Sequence, residues 1–180
     1  QFIPISQITG TGDGNQFYSL FRDSKGFYWF GGANGLIRFT DPAGERHDAI
    51  WYRMGDKTYP LSHNRIRHIY EDKEQQLWIA TDGSINRYDY ATRQFIHYNI
   101  VDNTGTYNTN WTYYIFEDTA GQLWISTCLG GIFVVDKHKL MQSTSGQYIA
   151  EQNYSVHNGL SGMFINQIIP DNEGNVWVLL

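Results

Sequence analysis

The chain has 180 residues, 41% of them hydrophobic and 16% aromatic, which is typical of a folded globular domain rather than a disordered segment. Its formal net charge is -5 and its Lys and Arg residues form no run, so a nucleic-acid partner is not expected. The apolar stretches are only a few residues long, far below the roughly 20 residues that a membrane-spanning helix needs.

The glycine and proline content bears on the fold class, and the single cysteine bears on disulfides and metal sites. The 18 glycines and 4 prolines suit short strands joined by tight turns. Cys128 alone excludes an internal disulfide and a cysteine-based zinc site, and we expect a buried structural thiol. Because the sequence starts at Gln1 with neither an initiator Met nor an apolar signal segment, we expect a processed product or an excised piece.

One short pattern returns four times along the chain, an aspartate six residues before a tryptophan. Successive tryptophans of this pattern are 49, 46 and 53 residues apart, a period typical of a four-stranded propeller blade. In three copies a glycine lies midway, so the motif is Asp-x-x-Gly-x-x-Trp. The motif residues are Asp23, Gly26 and Trp29; Asp72 and Trp78; Asp118, Gly121 and Trp124; and Asp171, Gly174 and Trp177.

The residues around each motif predict the strands in chain order. An apolar pair before each aspartate predicts an inner strand buried on both faces, and apolar residues flanking the tryptophan predict a second strand. Aspartate and glycine between them suit a hairpin turn; where Gln75 replaces glycine we expect a slightly different or strained turn. Third strands are predicted over 35–39, 84–88 and 131–135, and fourth strands over 49–52, 95–98 and 148–154.

These elements predict an all-β fold, a partial β-propeller of about three complete four-stranded blades with a flanking strand and a half-blade. We expect a single domain over residues 1–180. Four blades can close a small propeller, but the fourth would lack its third strand, so we expect an arc of a larger propeller. The blades are predicted over 15–52, 64–98, 110–154 and, incompletely, 165–180, after an orphan strand at 2–5 and a polar turn at 41–44.

The repeat also resembles a known family. The residues that carry the resemblance best are Ile69-Tyr-Glu-Asp72, Leu77-Trp-Ile-Ala-Thr81 and Asn86-Arg-Tyr-Asp89. Ile115-Phe-Glu-Asp118 with Leu123-Trp-Ile-Ser-Thr127 carries it nearly as well. In these residues the chain resembles the two-component regulator propeller repeat, found in the sensor regions of hybrid two-component systems of gut Bacteroidetes.

The resemblance implies a periplasmic sensor, the extracytoplasmic part of an inner-membrane receptor. It implies oligosaccharide fragments of glycans as ligands, regulation of glycan utilisation as the outcome, and dimerisation as the carrier of the signal. The implied partners are the remaining blades and domains of the parent polypeptide, an oligosaccharide and a second copy of the receptor. Any histidine-kinase activity would lie outside these residues.

The motif residues recur at equivalent places in every repeat, which is what core packing and turn chemistry produce. We therefore expect structural roles for them, with each tryptophan packed between blades and its indole N–H bonded to a backbone group.

Candidate ligand contacts lie instead in the connectors 53–64, 99–110 and 156–164, which meet the turns after the tryptophan strands on one rim of a propeller. Aromatic faces stack on sugar C–H groups, and planar polar groups bind sugar hydroxyls. The same residue types also suit ordinary loops, so a structural role stays open for each. The candidates are Tyr59, His63, Arg65, Tyr107, Trp111, His157 and Asn158.

Catalytic and metal motifs are missing from the sequence. It has no His-x-x-x-His or His-Glu-x-x-His spacing, no Gly-x-Ser-x-Gly elbow and no phosphate-binding glycine loop, so we expect no enzyme, no metal and no cofactor. Two alternatives stay open. One is a protein-interaction scaffold that does not sense a ligand, and the other is a propeller-type glycan lyase or hydrolase built from distant blades.

Overall fold

The computed structural model describes residues 16–40, 49–58 and 60–180. The predicted orphan strand at 2–5, the turn at 41–44 and the candidate Tyr59 lie outside the described residues. Among the described residues, no helix has the length and hydropathy to cross a membrane.

Three four-stranded antiparallel sheets follow one another along the chain, as predicted for propeller blades. Blade 1 consists of β1 (Phe17–Arg22), β2 (Tyr28–Gly32), β3 (Gly35–Phe39) and β4 (Ile50–Tyr52). Blade 2 consists of β5 (Ile66–Glu71), β6 (Leu77–Thr81), β7 (Ser84–Asp89) and β8 (Gln94–Tyr98), followed by the short β9 (Ile100–Val101). Blade 3 consists of β10 (Thr112–Glu117), β11 (Gln122–Thr127), β12 (Ile132–Asp136) and β14 (Gln152–Tyr154), with α1 (Lys137–Gln142) and β13 (Tyr148–Ile149) before β14. A half-blade of β15 (Gln167–Pro170) and β16 (Val176–Leu179) comes last.

The core lies between neighbouring blades. Trp29 of blade 1 packs in one cluster with Leu77 and Tyr88 of blade 2, and Trp78 of blade 2 packs in another with Leu123 of blade 3. All five of these residues are at most 1% exposed. A third cluster joins blade 3 to the half-blade through Ile165, and burial of this apolar surface is the main force that holds the sheets side by side.

The inner strands are not buried on both faces in every unit. Within the predicted apolar pairs, Leu20 of β1 is 63% exposed and Ile169 of β15 is 49% exposed, whereas Ile69 and Ile115 are buried. The prediction is therefore wrong for the first and last units, because only blades 2 and 3 have a neighbouring sheet on both sides within the described chain.

Each motif aspartate joins a turn to a tryptophan. In the first copy, one oxygen of Asp23 accepts the backbone N–H groups of Lys25 and Phe27, and the other accepts the indole N–H of Trp29 at 2.8 Å. The other three copies repeat the indole bond at 2.9 Å. The predicted turn is confirmed, but the predicted backbone partner of the indole is wrong, since the second carboxylate oxygen faces the tryptophan across the hairpin.

Gln75 keeps the hairpin of its glycine counterparts. Its backbone N–H donates to the carbonyl of Asp72 at 2.9 Å, as that of Gly26 does to the carbonyl of Asp23 at 3.0 Å. It does so with φ at 63°, in the left-handed region that is costly for a residue with a Cβ. The expected strained turn is therefore present.

The predicted fourth strand of blade 3 over 148–154 is wrong in part, because two separate strands replace it. β14 pairs with β12, whereas β13 pairs in parallel with β9, which directly follows blade 2. The Asp136 carboxylate caps α1 by accepting the backbone N–H groups of His138 and Lys139. Through the β9–β13 pair, the chain contacts the segment that follows blade 2 before it returns to blade 3.

Candidate functional site

The connectors between blades and the turns after the tryptophan strands lie together on one rim. The guanidinium of Arg53 donates to the carbonyl of Asn34 at 3.0 Å. The backbone N–H of Trp111 donates to the carbonyl of Asp82, and that of Cys128 to the carbonyl of Trp111, both at 3.0 Å. The backbone of blade 2 is thus tied to that of blade 3 along this rim.

A cavity of about 760 Å³, here the rim cavity, is formed by residues 102–107 and 150–158. The β9–β13 pairing positions both walls, because each wall begins where one of these strands ends. The carboxylate of Asp102 holds the first wall by accepting the hydroxyl of Thr104 and the backbone N–H of Tyr107. Burial acts to raise the pKa of Asp102, but these hydrogen bonds outweigh it and lower the pKa.

Two predicted residues meet across the rim cavity. The phenol oxygen of Tyr107 lies 3.0 Å from Nε2 of His157, and the ring centroids are 6.2 Å apart. Asn158 also lines the cavity, but its amide is engaged locally, since it accepts the backbone N–H of Ser155 and donates to the carbonyl of Asn153. Asn158 therefore shapes the wall, whereas Tyr107 and His157 link two connectors.

Trp111 lines a smaller depression of about 260 Å³, which shares Tyr107 with the rim cavity. Its side chain is 48% exposed, and its backbone φ is 55°. A bulky residue in the left-handed region is a strained arrangement of the kind that clusters at binding sites. Leu129, 66% exposed, also lines the depression.

His63 and Arg65 lie on the blade 2 side of the rim and line neither of these cavities. The ring of His63 accepts the backbone N–H of Arg65 at 3.0 Å, and Nε of Arg65 lies 3.7 Å from the Asp82 carboxylate. The structure therefore brings four of the predicted residues together, Tyr107, Trp111, His157 and Asn158, and leaves His63 and Arg65 apart from them.

A second group of side chains lines a cavity but was not among the predicted ligand contacts. A cavity of about 430 Å³, here the axial cavity, lies against the inner strands of the blades. Apart from Leu179, its residues occupy positions five and four before the motif aspartates, where polar and aromatic residues precede the apolar pair. This change from polar or aromatic residues to an apolar pair is the sequence feature that could have identified the cavity. The lining residues are Tyr18, Arg67, His68, Tyr113, Tyr114, Asn166, Gln167 and Leu179.

The described residues contain no group of three or more His, Cys, Asp or Glu side chains placed to hold a metal ion. Cys128 is buried in the turn after β11, and burial raises the pKa of its thiol.

Comparison with known proteins relates the chain to a family and to solved structures. A family model described as two component regulator propeller matches residues 11–34 and 60–83. The whole chain also superposes on a solved extracellular domain from B. thetaiotaomicron, assigned to a one component system, with 99% identity and a TM-score of 0.94. The matched segments belong to the two-component regulator propeller family. This regulator propeller covers 24% of that extracellular domain, so it spans about a quarter of its relative's length.

Two more distant structures share the fold of the regulator propeller. The extracellular domain of a hybrid two component system from B. thetaiotaomicron matches 99% of the chain, and 23% of its own length, with 22% identity and a TM-score of 0.75. A virginiamycin B lyase from Staphylococcus aureus matches 91% of the chain, and 48% of its own length, with 14% identity and a TM-score of 0.60. No curated protein matches the sequence. Because its 99% identical relative is an extracellular domain, the regulator propeller is extracytoplasmic.

Proposed function

We propose that this regulator propeller is a ligand-sensing segment of a periplasmic signalling receptor, and that it recognises oligosaccharide fragments through the rim cavity to regulate glycan utilisation. The observation that carries the proposal is the Tyr107–His157 pair, which joins two connectors 50 residues apart at a cavity of about 760 Å³. This volume falls within the range of known small-molecule sites, roughly 300–1,000 Å³.

The chemistry of the rim cavity suits sugar hydroxyls. Its lining combines amide, hydroxyl and aromatic side chains, and in the part of the chain that the structure describes it includes no Lys or Arg. Trp111 adds an exposed aromatic face beside it, of the kind that packs on sugar C–H groups. A neutral oligosaccharide would therefore find hydrogen-bond partners and a stacking surface together.

The position of the cavity suggests how binding is transmitted. One wall precedes blade 3, and the other consists of its last strand, β14, with the residues on either side of it. A bound ligand would therefore link blade 3 to the connector that leads into it. A change in blade orientation could then pass to the remaining blades of the parent polypeptide and to a second receptor copy. This signalling step and these partners belong to the proposal.

Calorimetry of the extracellular domain that contains the chain tests the proposal against a panel of neutral oligosaccharides. We expect Tyr107→Ala and His157→Ala each to weaken binding roughly five-fold, because each removes a contact worth about 1 kcal/mol. His138→Ala is the matched control, since this histidine is exposed on α1 and lines neither the rim cavity nor the depression beside Trp111. An absence of binding to every oligosaccharide, or equal binding by all variants, would contradict the proposal.

A protein-binding scaffold is the second candidate, favoured by the exposed pair of Trp111 and Leu129. It predicts that the domain captures a protein partner, that Trp111→Ala abolishes capture, and that no saccharide alters it. Loss of saccharide binding in Trp111→Ala without any protein capture would favour the sensor instead.

A further inference from the structure

The axial cavity owes its lining to an irregularity that each complete blade repeats. The inner strands of blades 1, 2 and 3 each shift register against the second strand at the same point, which inserts one extra residue. Such a bulge turns side chains out of the regular alternation of a strand. In blades 2 and 3, two consecutive side chains therefore line the cavity. The inserted residues are Tyr18, Arg67 and Tyr113.

The residues at these positions differ from blade to blade, although the backbone feature repeats. At the position five before the motif aspartate, the four units carry a phenol, a guanidinium, a second phenol and an amide. Core positions in the same units repeat their chemistry, as the four tryptophans do. A repeated backbone that presents unlike polar groups to one cavity is what an asymmetric ligand requires.

Arg67 is held in place for such a ligand. Its Nε and Nη2 donate to the Asp82 carboxylate at 2.8 and 3.3 Å, and its guanidinium lies 4.6 Å from the ring centre of Tyr113. Within the described part of the chain, Nη1 has no hydrogen-bond partner. The guanidinium is therefore fixed by two of its nitrogens, and the third is open to a ligand.

The electrostatic setting favours an anion. Arg65 also approaches Asp82, so two guanidinium groups share one carboxylate and a positive charge remains. Among the described residues, no Asp or Glu lines the axial cavity. The rim cavity has the opposite character, since the described residues that line it include the carboxylates of Asp102 and Glu151 and no Lys or Arg.

His68 supplies a second donor. Its ring stacks on Tyr114 with centroids 4.0 Å apart, and its Nδ1 accepts the backbone N–H of Ile115 at 3.3 Å. Burial lowers the pKa of His68 to about 4, so the ring is neutral near pH 7 and its proton resides on Nε2. An N–H donor thus lies one residue from Arg67 on the same cavity.

We propose that the axial cavity binds a small ligand that bears a carboxylate, which accepts hydrogen bonds from Arg67 and His68. The tyrosine hydroxyls and the amides of Asn166 and Gln167 are then available to the rest of the ligand. The carboxylate can belong to an acidic sugar or to a simple organic acid, and both offer the same chemistry to the two donors. This site is separate from the rim cavity and does not depend on the function proposed for it.

The test is calorimetry of the extracellular domain that contains the chain, with sodium glucuronate, glucose and sodium acetate as probes. We expect glucuronate to bind and glucose not to bind in this cavity. Equal binding of acetate would identify a simple organic acid as the source, whereas binding of glucuronate alone would identify an acidic sugar. Binding by neither acid overturns the proposal.

Two variants probe the site in different ways. Arg67→Gln is expected to weaken glucuronate binding at least ten-fold, and His68→Phe to weaken it while the stacking on Tyr114 persists. Because Arg67→Gln removes one of the two guanidinium groups that pair with Asp82, it can also lower stability. Thermal unfolding of each variant is therefore measured alongside binding. Arg53→Gln, on the rim beside Trp51, is the matched control and should bind as the parent does.

Tyr107→Ala separates this proposal from that for the rim cavity, since it should weaken oligosaccharide binding and leave glucuronate binding intact. Glucuronate binding that survives in both Arg67→Gln and His68→Phe would place the anion elsewhere and overturn the axial site.

Discussion

At the scale of single residues, the motif aspartate shows why the repeat depends on one carboxylate. At Asp171, hydrogen bonds from Asn175 and from the indole of Trp177 outweigh the opposing effect of burial and lower the pKa to about 2. The turn could be predicted because it forms between residues two to four apart. The indole bond could not, because it depends on how two strands meet across the hairpin.

The substitution Gln75→Gly should stabilise the protein by about 0.5–1 kcal/mol. It relieves a left-handed backbone that costs a residue with a Cβ roughly 1–2 kcal/mol, and the greater freedom of glycine in the unfolded chain offsets part of this gain. Urea unfolding measures the difference. Gly121→Gln, at the equivalent turn with φ at 81°, is the mirror-image control and should destabilise the protein by a similar amount.

His68 makes stability depend on pH. Because burial lowers its pKa to about 4 in the folded protein, below the ordinary 6.5, the unfolded chain binds a proton between these values that the folded chain does not. Stability should therefore fall as the pH falls through this window, by at most about 3 kcal/mol.

Urea unfolding at pH 5.0 and 6.5 measures the effect of His68 above the range where most carboxylates titrate. His68→Gln should flatten the difference between these two pH values, whereas the exposed His157→Gln should leave it unchanged. An unaltered slope in His68→Gln would show that another group causes the dependence.

At the scale of strands and turns, neighbouring blades are joined by polar contacts that repeat with the motif. In blades 2 and 3 the residue before the motif aspartate is a glutamate that accepts a backbone N–H from the previous blade. Glu71 accepts that of Ser24, and Glu117 accepts that of Lys73. The residue after the third strand donates to the previous motif aspartate, and here the blades differ. Tyr90 offers a phenol to Asp23, whereas Lys137 offers an ammonium to blade 2.

Lys137→Met should destabilise the protein by about 3 kcal/mol or more. Nζ of Lys137 lies 2.8 Å from Glu117 and 3.3 Å from Asp72, all three side chains are at most 3% exposed, and removal of the cation leaves two buried carboxylates together. Burial acts to lower the pKa of Lys137, but the two carboxylates raise it, so the ammonium is charged.

The matched control for this cluster is Tyr90→Phe, which removes a neutral donor from the equivalent place and should cost only about 1 kcal/mol in urea unfolding. If the two substitutions have equal effects, the ion cluster adds nothing beyond an ordinary hydrogen bond.

Long-range pairing marks the limit of prediction from the sequence. The blade strands could be assigned because each pairs with a neighbour in the chain. The β9–β13 pair joins two segments of two residues each, and the paired residues are 48 positions apart in the chain. Neither Ile100 nor Tyr148 carries a local sequence signal that predicts the pairing. Two cavity residues, Tyr107 and His157, were found from the aromatic and polar character of the connectors, whereas the axial residues depend on bulges that only the strand register reveals.

At the scale of the whole molecule, the burial of the motif tryptophans follows the order of the blades. Trp29 and Trp78 are fully buried by the next blade, Trp124 is half-buried by the half-blade, and Trp177 is 66% exposed. On the half-blade, Ile169 and Leu179 are also about half exposed, at 49% and 57%. An apolar surface of this kind on a two-stranded sheet favours association.

The 180-residue chain should therefore associate as its concentration rises, as measured by size-exclusion chromatography with light scattering. Ile169→Lys with Leu179→Lys should keep it monomeric while the bond between Asp171 and Trp177 remains. Ile96→Lys, on the outer strand of blade 2, is the control and should associate like the parent. Equal association of all three would place the contact elsewhere.

Because the four motif indoles differ in exposure, their intrinsic fluorescence can report on the separation of the blades. Each indole donates to an aspartate in the same geometry, so differences in emission arise mainly from the solvent around each ring. A soluble quencher would reach Trp177 first, Trp124 next, and Trp29 and Trp78 only when the blades separate. Fluorescence of single-tryptophan variants can therefore record the order in which the blades part.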